Sequence, residues 1–210
     1  MFFHSLPLVR ISQQTMTNKQ NLTIECDRIL LEFTKNLNVI RNYSKTYKRE
    51  NFSKKEVEYI DKHLHLHTLL TISFLDNIVI IKHLNESVIE WEILYFLKKL
   101  YLNIYETLKS YNNNSNFVKE YFKSNELVIY DFNAITNSIR SFRKENKLES
   151  HIKNVRNIIA GHIDKDFKEY FEIVNSISTE ETIKTGMEFM DILHQLMAFL
   201  VKVTPKLKDV

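Results

Sequence analysis

The sequence predicts an all-α domain built as an antiparallel multi-helix bundle, and three observations predict it. Only two glycines and two prolines occur in 210 residues, whereas a sheet-rich fold of that length needs more turn glycines. The prolines are Pro7 and Pro205, so every residue from Leu8 to Thr204 keeps the amide hydrogen a helix uses. Apolar residues recur at spacings of three and four nearly throughout. With 44% hydrophobic residues, the chain can bury a sizeable core.

Residues 1–15 read as a flexible N-terminal tail ahead of Met16, and 16–210 as a single all-helical domain. The opening stretch has no basic leader and no long apolar run, so no signal peptide is expected. A first helix over 18–48 puts Leu22, Cys26, Ile29, Leu30, Phe33, Leu37 and Ile40 on one face. Ser53 reads as an N-cap, and Glu56 three residues on completes a capping box for a helix over 54–84. Ser87 opens a third helix, whose apolar face runs from Ile89 to Leu108 and which ends in the polar stretch Tyr111–Asn116. A short helix at 117–123, another at 126–146, a segment at 148–164 and a short helix at 166–176 follow. Ser178-Thr179-Glu180-Glu181 then signals the start of a last helix over 179–203. Long helices with short connections favour antiparallel neighbours.

Composition narrows the function. The net charge is +3, from 29 basic and 26 acidic residues, too mild a balance to signal nucleic-acid binding by itself. Cys26 is the sole cysteine, which rules out an intramolecular disulfide and suits a cytoplasmic protein. The apolar run from Thr68 to Ile81 is interrupted by Asp76 and Asn77, so no membrane span is expected. No glycine-rich phosphate loop, nucleophile elbow or paired-cysteine zinc pattern occurs, which argues against an NTPase, a serine hydrolase and a zinc finger. No cofactor is expected.

The chemistry concentrates in Val155-Arg156-Asn157-Ile158-Ile159-Ala160-Gly161-His162. Arginine is permanently cationic and grips phosphate through a planar fork, while histidine titrates near neutrality and moves protons. Seven arginines and eight histidines make one such spacing an ordinary accident; the amide directly after the arginine makes it several-fold rarer. On a straight helix Arg156 and His162 lie roughly 60° to either side of Ile159 and about 9 Å apart along the axis. They flank the apolar stripe and converge on one ligand only if a second copy of the helix faces them. Gly161 leaves room for a close approach. The plain alternative is that Arg156 snorkels from a packed stripe and His162 is an ordinary shoulder residue.

Arg156-Asn157-x4-His162, late in an all-α domain of this size, resembles the motif of the HEPN superfamily (higher eukaryote and prokaryote nucleotide-binding domains). Many members are ribonucleases of toxin–antitoxin, abortive-infection and other defence systems. The resemblance covers residues 126–176 in motif and the rest only in helical character. It implies metal-independent RNA cleavage in a C2 homodimer. The ribose 2′-hydroxyl attacks the adjacent phosphate, His162 serves as general acid or base, Arg156 stabilises the phosphorane and Asn157 orients the site. DNA, lacking that hydroxyl, is not a substrate. An antitoxin or another defence-system protein is the implied partner. Asp164 stands where toxins paired with a nucleotidyltransferase antitoxin often carry a tyrosine, which argues against regulation by that route.

Other candidates are weaker. Arg140, Arg143, Lys144 and Lys147, extended by Lys153 and Lys165, form a basic stretch able to contact RNA backbone; a solvated helix face is the alternative. Arg41, Lys45, Lys48 and Arg49 suit a helix C-terminus. His63 and His67 share a face at metal-chelating spacing without a third ligand, and His65 points elsewhere. Asp76 reads as a carboxylate in an apolar run, satisfied by an arginine or by an internal polar network. Trp91, Tyr95, Phe96, Tyr101 and Tyr105 suit core and interface more than base stacking. Met187, Met190 and Met197 with Phe189 and Phe199 suit packing. A non-catalytic helical interaction module, an antitoxin or regulatory subunit, is the competing function.

Overall fold

The computed structural model describes residues 19–148, 150 and 178–204, which are mostly helical and contain no strand. Six α-helices are defined there: α1 (Lys19–Thr46), α2 (Lys54–Glu86), α3 (Glu90–Asn114), α4 (Phe117–Tyr121), α5 (Glu126–Glu145) and α6 (Thr179–Lys202). A short 3-10 turn, Arg49–Asn51, joins α1 to α2.

The caps explain most of the boundaries. The Ser53 hydroxyl accepts from the Glu56 amide while the Glu56 carboxylate accepts from the Ser53 amide, the reciprocal box expected at the start of α2. Asn125 and Ser178 cap α5 and α6 in the same one-sided way. Two expectations are corrected. Ser87 does not open α3; its amide and hydroxyl both donate to the His83 carbonyl, so it closes α2. The stretch Tyr111–Asn114 is helical, because Tyr111 is buried and the Asn114 side chain donates to the Ser110 carbonyl at 2.8 Å.

α2 is the hub, packed against α1, α3 and α6. The α1–α2 pair is antiparallel, since Thr23 and Asp27 near the start of α1 meet Glu86 and Lys82 near the end of α2. α2 and α6 are antiparallel as well: Tyr59 donates to the Val203 carbonyl, and Thr71 meets Met197. α5 and α6 repeat the arrangement, with Asp131 paired to Lys202 and Asn146 bonded to Thr185. Leu66, Leu70 and Ile78 of α2 are no more than 1% exposed. Burying such a side chain contributes about 1.5–3 kcal/mol. By length and composition α2 would pass as a membrane span; packing on three neighbours accounts for that apolarity.

Gly186 lets α6 pack tightly on Leu100 of α3 and Ile81 of α2. A Cβ there would lie 2.8 Å from Leu100 Cδ2 and 3.4 Å from Ile81 Cδ1, and Leu100 is 0% exposed. The expected result for Gly186→Val is a stability loss of about 2 kcal/mol, measured by urea denaturation, because overpacking outweighs the gain in helix propensity. Lys147 has φ 45°, the left-handed conformation that stops α5. Lys147→Gly relieves that backbone penalty and is expected to raise stability by about 0.5–1 kcal/mol in the same assay.

Candidate functional site

Arg156, Asn157, His162 and Lys153 lie outside the described residues, as do Lys165 and Asp164. Arg140, Arg143 and Lys144 lie within them, on the last two turns of α5. Arg140 and Arg143, three apart, share one face of the helix. They line a recess of about 200 Å³ between the end of α3, α4 and α5. Lys144 is exposed but does not line it.

The recess has an aromatic and aliphatic floor of Tyr111, Phe132 and Ile139, all buried. Its rim carries Asn112, Asn116 and Lys119 with the two arginines, and the buried Ser115 also lines it. The Tyr111 hydroxyl meets Thr136 Oγ1 at 3.2 Å, which ties α3 to α5 across the floor. Burial pushes that phenol above its ordinary range, while its bonds to Thr136 and Ser115 and the charge of Arg140 act the other way. Arg140 is thus close enough to act electrostatically on the floor. Lys119 holds its ammonium 5.8 Å from the Phe132 ring centre, a cation–π contact that keeps it over the recess. Among the described residues no carboxylate lines the recess. Among the described residues neither Lys119 nor Arg140 forms an ion pair.

The other basic end behaves differently. A recess of about 530 Å³ beside the 3-10 turn is lined by Lys48 and Arg49 but also by Glu50 and Asp61. Arg49 is already paired with Asp61 at 3.0 Å. Its charges cancel locally, so it is a poor anion site.

No family model, curated protein or solved structure matches this chain. Its own residues therefore carry whatever is said of its chemistry.

The remaining candidates resolve into structure. His63 and His67 are buried, with ring centres 5.9 Å apart. His63 Nε2 meets Thr204 Oγ1 at 3.1 Å, and its Nδ1 has no partner. Burial lowers His63 to about 3 and His67 to about 4, so both are neutral at pH 7. Among the described residues no group of three or more histidine, cysteine, aspartate or glutamate side chains is placed to hold a metal. The expectation of an embedded Asp76 is corrected: Asp76 is exposed and the neighbouring Asn77 is 0% exposed. Asn77 Oδ1 accepts from Asn103 Nδ2, which also donates to the Ser73 carbonyl. Burial pushes the Cys26 thiol up to about 11, leaving it protonated and a poor nucleophile.

The aromatics divide. Tyr101 is buried, and Phe96 and Tyr105 are half-buried, as a packing role requires. Trp91 and Tyr95 are 62% and 52% exposed, with Lys98 and Lys99 poised over their rings. Met190, Met197, Phe189 and Phe199 are core, and Met187 packs against them. Lys119 is the residue sequence reasoning missed. Its only signal is a cation on the short helix directly before the one bearing Arg140 and Arg143.

Proposed function

We propose that this chain is a HEPN-like, metal-independent endoribonuclease that works as a homodimer in a bacterial defence or toxin–antitoxin system. Arg156 and His162 from two copies form the reacting centre, with Asn157 orienting it. The observation that carries the reading is the Arg156-Asn157-x4-His162 spacing. The cationic end of α5, with Arg140, Arg143 and Lys144 immediately upstream in the chain, supports it. Arginines on one helix face beside a recess with no carboxylate among its described lining residues suit a polyanion. The test is RNA cleavage in the presence of EDTA by the wild type, Arg156→Ala and His162→Ala. The wild type is expected to cut and both variants to fail; equal activity in all three rejects the site.

One observation favours a second reading, the non-catalytic interaction module. At the α2–α3 corner Val88, Ile89 and Trp91 are 82%, 57% and 62% exposed, a local concentration of apolar surface of the kind partners cover. On that reading no cleavage is seen, and Trp91→Ala weakens association with the partner.

A further inference from the structure

We propose that the recess between α3, α4 and α5 is a phosphate-binding subsite that seats one phosphodiester of single-stranded RNA. The RNA source rests on the ribonuclease reading above; the affinity for phosphate does not.

Three features carry this. The first is charge. Lys119 and Arg140 both line the recess, as does Arg143, and none of its described lining residues is acidic, although acidic residues nearly balance basic ones along the chain. The C-terminus of α3 points roughly half a negative charge at this region. The two full positive charges of Lys119 and Arg140 outweigh it. The second feature is donor chemistry. An arginine fork and an ammonium supply charge-assisted hydrogen bonds, and the side chains of Asn112 and Asn116 add neutral donors at the rim. The third is size. About 200 Å³ lies below the roughly 300–1,000 Å³ typical of small-molecule pockets. The recess therefore takes a phosphate group and its esterified oxygens, not a whole nucleotide.

The experiment uses the full chain carrying His162→Ala, so that RNA is bound without being consumed, with and without Lys119→Ala/Arg140→Ala. Both added positions are exposed, so the fold tolerates them. A ten-nucleotide single-stranded uridine RNA is titrated at several salt concentrations. The double change is expected to weaken binding about tenfold and to flatten the log–log salt slope by about 0.7 for the lost phosphate contact. Inorganic phosphate is titrated separately while the backbone amide resonances of Ser115–Lys119 are followed. They are expected to shift in the parent chain and stay still in the double variant. Unchanged RNA affinity together with no phosphate-induced shift overturns the subsite and leaves the ribonuclease reading intact. Phosphate-induced shifts without RNA binding by either chain keep the anion site and overturn its RNA occupant. Shifts with RNA affinity untouched by the double change do the same.

Discussion

His162→Ala is expected to lower the rate of RNA cleavage by about 10³-fold, within the range of roughly 10²–10⁴ that a positioned proton donor or acceptor contributes. Arg156→Ala is expected to cost about 10²–10³-fold, because on the proposed mechanism the guanidinium acts on charge that grows only in the transition state. The double variant is expected to fall little below the worse single variant, since on that mechanism the two groups act as one unit. Single-turnover cleavage of a labelled RNA in EDTA measures all three. A mixing experiment adds the symmetry test. If each site draws its groups from two copies, an equimolar mixture of the inactive Arg156→Ala and His162→Ala chains recovers activity in the mixed dimers that regain one intact pair. A chain whose site is complete within one copy shows no such recovery.

The second large effect is acid instability. His63 and His67 are held neutral, with pKa values lowered to about 3 and about 4 by burial. In the unfolded chain both titrate near 6.5. Above that pH neither state is protonated and the pair has no effect on stability. Below it the unfolded chain takes up protons that the folded chain refuses, so stability falls with pH until the folded values are reached. Each histidine then costs about 2 kcal/mol at pH 5, and the pair about 4 kcal/mol. That is a large share of the roughly 5–15 kcal/mol a domain has. His194, lowered by partial burial, acts in the same direction, while Asp76 and Asp191, exposed carboxylates raised by partial desolvation, act with the opposite sign. Urea denaturation at pH 7.5 and pH 5 measures the difference. His67→Leu, which keeps the volume and removes one titrating ring, is expected to halve it. A midpoint independent of pH would contradict the assignment.

The helices were legible in the sequence where pattern and cap agree. Leu97, Leu100, Ile104 and Leu108 recur at helical spacing and are all buried in α3, and Ser53 with Glu56 marks the start of α2. Legibility fails where one residue step decides. Asp76 and Asn77 are adjacent, so about 100° of helix rotation separates their side chains, and only the packing of α2 against α3 says which is inside. The asparagine run after Tyr111 resembles a turn by composition, yet Tyr111 reaches Thr136 of α5 and that tertiary bond keeps the turn wound. Arg140 and Arg143 were found by charge alone. Lys119 was not, because its meeting with them depends on how the chain bends between Ser115 and Phe117. The Arg156–His162 pair is legible only as spacing and family resemblance, since a straight helix holds the two groups apart.

The contact between Ser73 and Asn77 on α2 and Asn103 and Thr107 on α3 fixes how those two helices slide. Leucines facing leucines tolerate a shift of one turn at small cost; an amide matched to an amide does not, because displacement breaks the bonds from Asn103 to the Ser73 carbonyl and to Asn77 Oδ1 in a partly buried seam. The cluster thus acts as a ratchet stop in an otherwise greasy contact. A chain in which Ser73, Asn77, Asn103 and Thr107 were all made aliphatic would hold its helical content while losing its single defined alignment.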